Sequence, residues 1–491
     1  MKFVSTRGNN QYVDSAYAIK QGLADDGGLF MPESIPEFAE GELISLSSKS
    51  YNERAAHIIG KFLTDFTYEE LIEDAANAYA KEKFADYPAP VVKNDEKIYT
   101  LELWHGPTSA FKDMALQIMP RLFVRSLRKT GEKRDALILV ATSGDTGKAA
   151  LEGYRDVPGT KIQVFYPTNG VSAVQKKQMQ TQEGKNISVK AIKGNFDDAQ
   201  SGVKRIFADV KMQELLNAKN TFLSSANSIN WGRLVPQIVY YVSAYLDMVK
   251  MGAVSFGEKI DVCVPTGNFG NIFAAYIAKL MGLPIEKLVC ASNSNNVLTE
   301  FLESGTYDKN RDFHATISPS MDILISSNLE RLLYLTAGAR KTKEYMSELS
   351  SAGKYTVNSE IFDIISRNFI GIYTDEATTK ETIKSTYENK NYLIDTHTAV
   401  AMSAAEKYIS TYKAERPILV VSTASPYKFA KDVYTSVAKD VNAPSDIEAL
   451  DLLSALTSTP IPTPLKAVLS KEILHPDIIE KEDMDNAVLD F

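Results

Sequence analysis

Cysteine is almost missing: the 491 residues hold two, Cys263 and Cys290. Two thiols cannot build a disulfide framework or a thiolate metal centre. Each lies in or beside an apolar, β-rich run (residues 260–264 and 288–291), so both are expected to be buried free thiols, as in a reducing compartment. Histidine is scarce too, and its five copies, His57, His105, His314, His397 and His475, are too scattered to suggest a metal site. No apolar run approaches the roughly 20 residues that span a bilayer. The opening Met-Lys-Phe-Val-Ser-Thr-Arg-Gly lacks the apolar stretch of a signal peptide. These absences predict a soluble, cytoplasmic protein with no membrane partner. No basic block interrupts the chain and the net charge is −8, so nucleic acid is not an expected partner either.

What is present is ordinary globular composition, 44% hydrophobic and 24% charged, over a length that predicts two or three domains. Residues 1–90 read as a leading, mainly helical unit. Asp25-Asp26-Gly27-Gly28 is a turn, helical periodicity covers 52–64 and 68–81, and Tyr87-Pro88-Ala89-Pro90 is a break. Beyond it, short apolar runs alternate with amphipathic ones. Residues 98–103, 136–141, 162–166, 187–192, 260–264, 288–291 and 418–422 read as strands, with helices at 148–156, 173–182 and 272–281 among others. Such alternation predicts parallel sheets covered on both faces, with ligands at the carboxyl ends of the strands. We expect α/β regions at 91–245 and 246–491, the last 50 residues wrapping the surface as short helices.

Four strand ends carry chemistry. Val264-Pro265-Thr266-Gly267-Asn268-Phe269-Gly270-Asn271 follows a strand and opens a helix. It is either a phosphate cradle, built from tight glycine turns and a helix N-terminus, or a plain strand-to-helix turn. Thr142-Ser143-Gly144-Asp145-Thr146-Gly147-Lys148 invites a nucleotide P-loop reading that fails on spacing, since Thr142 and Ala149 stand where Gly and Ser or Thr are needed. The spacing therefore argues against a nucleotide kinase. The loop can grip a carboxylate or face a flat ligand, or Asp145 and Thr146 can simply cap a helix. In Glu102-Leu103-Trp104-His105-Gly106-Pro107-Thr108-Ser109-Ala110-Phe111-Lys112-Asp113, apolar neighbours free Lys112 from facing water. A desolvated lysine loses its proton readily and forms Schiff bases, although most lysines are solvated surface groups. Thr423-Ala424-Ser425-Pro426-Tyr427-Lys428-Phe429 offers a hydroxyl for a ring nitrogen, or a helix cap.

These segments, in this order, resemble the fungal and bacterial threonine synthases, a branch of the fold-type II pyridoxal-phosphate (PLP) enzymes. The likeness runs almost end to end. It includes Gln21-Gly22-Leu23-Ala24-Asp25-Asp26-Gly27-Gly28-Leu29-Phe30, Asn227-Ser228-Ile229-Asn230-Trp231 and Ser318-Pro319-Ser320-Met321-Asp322-Ile323-Leu324 besides the four strand ends. The resemblance implies two parallel-sheet α/β domains of the tryptophan synthase beta type with an N-terminal extension, and pyridoxal 5′-phosphate as cofactor. It implies Lys112 as the Schiff-base lysine. It places Gly267, Asn268, Phe269, Gly270 and Asn271 on the cofactor phosphate and Thr423 on the pyridine nitrogen. Thr142, Ser143, Gly144, Asp145 and Thr146 would face the substrate. Many fold-type II relatives have Asn where this chain has Asp145, which leaves the partner of the ring hydroxyl open. Arg233 is the favoured cation for the substrate phosphate, with a surface ion pair the equally open alternative, and Lys148 is a weaker candidate.

The implied reaction converts O-phosphohomoserine and water into threonine and phosphate by γ-elimination and β-addition, in a monomer or homodimer. A phospho-lyase releasing 2-oxobutyrate from the same substrate would share nearly every motif. A non-catalytic metabolite-binding relative would have lost the lysine or the glycine loop, and both are intact.

Overall fold

The apolar runs marked as strands are strands in the computed structural model, which describes residues 1–8, 11–438 and 444–491. They form two sheets. In the first the order is Ile478–Glu480, Ile187–Lys193, Thr160–Pro167, Asp135–Ala141, Thr221–Ser224, every pair parallel. In the second it is Phe369–Tyr373, Ile285–Ser292, Ile260–Pro265, Ile418–Ser422, Ile98–Glu102, Val91–Lys93, parallel except for the last pair. The central strands Ile260–Pro265, Ile418–Ser422 and Ile98–Glu102 are buried throughout, as expected for a parallel sheet with helices on both faces.

The sheets cross the expected limit between 91–245 and 246–491. Ile418–Ser422 lies between Ile98–Glu102 and Ile260–Pro265, so residues 91–102 belong to the second sheet. Ile478–Glu480, in the stretch expected to hold only short helices, instead pairs with Ile187–Lys193 and extends the first sheet. Sequence adjacency sets the runs but not their partners. Glu448–Thr457, Thr463–Leu469 and Met484–Leu489 are the short helices foreseen near the C-terminus.

The leading unit is helical apart from an antiparallel pair, Phe3–Ser5 with Phe30–Pro32. Its helices Tyr51–Phe62 and Tyr68–Ala78 start at capping boxes, Ser50 with Glu53 and Thr67 with Glu70, which satisfy N–H groups left over at a helix start. The helix Trp231–Lys250 is buried along most of its length and packs on Tyr51–Phe62 and on Gly270–Leu280. Cys263 and Cys290 are buried and unpaired, on neighbouring strands. Among the described residues no helix is long and apolar enough to cross a membrane, and no three His, Cys, Asp or Glu side chains are grouped to hold a metal ion.

Candidate active site

Four strand ends meet. The lysine segment is stitched to the segment after Ile418–Ser422: Phe111 N–H donates to the Thr423 carbonyl at 2.8 Å, Ser425 N–H donates to the Ser109 carbonyl at 3.1 Å, and Ala110 bridges Ala424. Lys112 opens the short helix Asp113–Leu116, its side chain 11% exposed and its Nζ 4.9 Å from the centre of the Phe111 ring. Burial lowers its ammonium to about 8; Asp145 pulls the other way, and the charges of Arg233 and Lys428 add to the lowering. The expected setting of a desolvated amine is therefore present. Asp113 beside it is fully buried and accepts from the Thr108 N–H and hydroxyl at 2.8 and 2.7 Å; burial raises it to about 7.

Asp145 does not cap its helix. Gly144, with φ of 142°, occupies the cap position of Asp145–Tyr154 without a side-chain bond, and Thr142 Oγ1 accepts from the Gly144 and Gly147 N–H groups. The Asp145 carboxylate instead lies 2.9 Å from Lys428 Nζ, accepts from Gln175 Nε2 at 2.8 Å, and reaches to 3.9 Å from Lys112 Nζ. Burial works to raise its pKa, but the two ammonium charges and these hydrogen bonds hold it well below the usual carboxylate range. Lys428 is wholly buried and also donates to Gln178 Oε1 at 2.6 Å and to the Thr108 carbonyl at 3.2 Å. Two lysines thus share one carboxylate. Ser143, Asp145 and Thr146 donate no backbone hydrogen bond among the described residues. Their N–H groups, at a helix start, suit a carboxylate.

The loop after Ile260–Pro265 is held by its carbonyls. Ser326 Oγ donates to the Gly267 carbonyl at 2.7 Å, and Asn328 donates to the Asn268 carbonyl from both its backbone and its side chain, each at 3.0 Å. Phe269, buried and at φ 63°, turns the chain into the helix Gly270–Leu280. Among the described residues the N–H groups of Gly267, Asn268, Phe269, Gly270 and Asn271 have no protein acceptor. Five adjacent donors at a helix start form an anion cradle. The Asn268 side chain is exposed. Asn271 Oδ1 accepts from the Tyr240 and Tyr241 hydroxyls at 2.6 and 2.5 Å, and its Nδ2 is buried without a partner.

Arg233 is no surface ion pair. It is buried, donates from Nη1 to the Ala226 carbonyl at 2.9 Å, and leaves Nε without a partner. Burial lowers its guanidinium to about 10, so it stays charged at neutral pH. Lys148 is already neutralised by Glu152 at 3.2 Å and bonded to Gln182. Thr423 is not a cap; Ser425 caps Pro426–Phe429, accepting from the Tyr427 N–H.

Comparison with known proteins gives this arrangement a family. Residues 2–79 match the threonine synthase N terminus, 87–424 the pyridoxal-phosphate dependent enzymes, and 398–470 the threonine synthase C-terminal family. The threonine synthase of Pseudomonas aeruginosa is 39% identical over 88% of this chain and 90% of its own length. The chain belongs to the threonine synthase family. Human threonine synthase-like 1 is 40% identical over 90% of this chain, which spans 60% of that longer protein. Crystal structures of threonine synthase from yeast (34% identity, TM-score 0.88, 99% and 98% coverage) and of PLP-bound threonine synthase from Brucella melitensis (35%, 0.86, 100% and 99%) share the whole fold. The parallel-sheet fold-type II architecture is thus that of the family, and so is the cofactor, pyridoxal 5′-phosphate.

The residues present fit that cofactor. Its phosphate suits the five unpaired N–H groups, its aldehyde suits the amine of Lys112, and Thr423 adjoins the lysine segment through its carbonyl. A Cβ on Gly267 would stand 2.6 Å from the Ser320 carbonyl, so only glycine lets the loop lie this close to its support. Sequence reasoning missed Lys428 and the residues that hold the cradle: Ser326, Asn328 and Arg331. Arg331 is fully buried, bonded to Asn328 Oδ1 and donating to the Ile229 carbonyl at 2.6 Å.

Proposed function

We propose that this chain is a threonine synthase that converts O-phospho-L-homoserine and water into L-threonine and phosphate. The observation that carries the reading is the buried guanidinium of Arg233, with a free Nε and no carboxylate partner among the described residues, close enough to Lys112 to lower its pKa. A buried cation left unpaired is costly, so a substrate anion is its natural partner.

Pyridoxal phosphate, when bound, supplies the electron sink for carbanions at the substrate's Cα and Cβ. The N–H groups of Gly267, Asn268, Phe269, Gly270 and Asn271 would hold its phosphate. The Thr423 hydroxyl would meet the ring nitrogen as a neutral partner, which does not force a positive ring and so suits elimination followed by addition. The N–H groups of Ser143, Asp145 and Thr146 would orient the substrate carboxylate. Lys112, released by the substrate amine, would take the Cα proton, give it up again, and only then take a Cβ proton; an amine titrating near 8 is matched to taking and releasing protons at neutral pH. Arg233 would hold the γ-phosphate and steady its departure. Asp145, kept ionised by Lys428, cannot donate a proton to the ring hydroxyl and would act on the charge of the Lys112 amine instead.

The test is an assay of the purified protein with pyridoxal phosphate and O-phosphohomoserine, following phosphate, threonine and 2-oxobutyrate together. Threonine formed in step with phosphate supports the reading. Phosphate with 2-oxobutyrate makes the chain a phospho-lyase. No phosphate release overturns both. Arg233→Ala should raise KM for the phosphorylated substrate at least about 30-fold, the effect of removing one partner of a buried charge pair. An unchanged KM removes Arg233 from the site.

A further inference from the structure

His397 has no role in the chemistry above, yet its contacts run to both ends of the site. Asp395 caps the helix Thr396–Tyr412, accepting from the His397 N–H at 2.9 Å and the Thr398 N–H at 3.1 Å. The same carboxylate takes two side chains, the Thr398 hydroxyl and, at 2.8 Å, His397 Nδ1. A carboxylate at Nδ1 sets the tautomer: the proton lies on Nδ1 and Nε2 is an acceptor. Nε2 is 3.1 Å from the Ser320 backbone nitrogen, whose N–H it accepts. Asp395 is wholly buried, His397 is 3% exposed, and the imidazole packs on Phe429 at 4.8 Å between ring centres.

Ser320 leads to the phosphate end. It lies in the turn Pro319–Met321, and its carbonyl is the atom that the missing Cβ of Gly267 would meet at 2.6 Å. Thr398 leads to the ring end. Its hydroxyl is 3.0 Å from Ser422 Oγ, which accepts from Trp104 Nε1 at 3.0 Å, and Ser422 directly precedes Thr423. One carboxylate thus ties the floor of the 267–271 loop to the strand end that carries Thr423. Buried polar networks of this kind add little net stability over apolar packing of the same volume, whereas they fix geometry well.

We propose that Asp395 and His397 are positioning residues that set the span between the cofactor-phosphate loop and Thr423, and so the fit of the cofactor. The inference rests on residues 267–271 holding the phosphate, as read under Proposed function. Four variants test it, each prepared as the apoprotein and titrated with pyridoxal phosphate by absorbance, with melting temperatures recorded in parallel. His397→Leu should weaken cofactor binding by about tenfold, the worth of one buried hydrogen bond. It should also move the visible absorption maximum of the bound cofactor. His397→Gln, which keeps an acceptor for the Ser320 N–H, should stay within about threefold of the parent chain. Asp395→Asn keeps the cap bond from the Thr398 N–H but turns an amide donor toward Nδ1 in place of the oxygen that the His397 N–H also uses, drives the proton to Nε2 and should match His397→Leu, so the test survives if the leucine variant does not fold. Equal losses in the glutamine and leucine variants, tracking a fall in melting temperature, would make His397 merely structural. Parental affinity in His397→Leu and Asp395→Asn would overturn the proposal outright. Gly267→Ala is the separate control: parental affinity there sinks the phosphate-loop reading itself, whereas a loss there with none at His397 sinks only the positioning role.

Discussion

Lys112→Ala should lose at least about 10³-fold in turnover, the contribution of a positioned proton-transfer group. It should also lose the lysine-linked cofactor that borohydride would otherwise fix to the chain. The expected fold is intact, because Asp145 keeps Lys428 at 2.9 Å and gives up only a contact at 3.9 Å. A volume-keeping variant, Lys112→Met, adds a second readout. The lysine's pKa is pushed down to about 8 by burial, so the folded apoprotein holds its charged form at a cost. That cost is present in full below pH 8, shrinks as the pH rises toward the unfolded value near 10.4, and is gone above it. Lys112→Met apoprotein should therefore melt higher than the parent at pH 7, with the gap closing toward pH 10. A lower melting point at pH 7 would show that the lysine stabilises its surroundings. Retained turnover in Lys112→Ala would remove it from the chemistry.

Lys428→Met should destabilise the chain by about 3–5 kcal/mol, the usual result of removing one member of a buried ion pair. Asp145 would keep only Gln175 and the more distant Lys112, and Gln178 Oε1 and the Thr108 carbonyl would lose a donor. Adding Asp145→Asn should recover part of the loss, since the uncompensated charge disappears with it. The amine gives an independent sign. Lys428 lowers the Lys112 pKa and Asp145 raises it, so without Lys428 the carboxylate acts on Lys112 alone. The pH midpoint for capture of pyridoxal phosphate by the apoprotein should then move upward from about 8. A stable variant with an unmoved midpoint would separate Lys428 from control of the site.

The strands and two of the four strand ends were legible because their signals are local. Glycines at 267 and 270 before an apolar helix, and a lysine after Ala110-Phe111, each announce a backbone or a desolvation need within a few residues. Lys428 carried only a faint local signal, its place between Tyr427 and Phe429. Its meaning depends on Asp145, 283 residues earlier, and no spacing rule reaches that far. Distance along the chain also hid the Ser326 and Asn328 bonds to the 267–271 loop, 59 and 60 residues away, and left a cap as the local reading of Asp145. On local grounds Thr423 read as a cap, and Arg233 could not be told from a surface ion pair; the Ser425 cap and the burial of Arg233 decide both. Strand partners were equally hidden, since each apolar run fits any neighbour, which is why Ile478–Glu480 was not foreseen as part of the first sheet.

The place of Ile418–Ser422, between Ile98–Glu102 and Ile260–Pro265, also has a consequence for synthesis. A ribosome adding about 5–20 residues per second reaches residue 418 roughly 15–60 s after residue 102. Four strands of the first sheet, between residues 135 and 224, are complete long before that. Ile98–Glu102 emerges early but waits for its central partner, and Lys112 waits for the Thr423 carbonyl that anchors its segment. The nascent chain therefore carries the Lys112 amine unplaced for more than 300 residues of synthesis, until the strand end at Thr423 has been made.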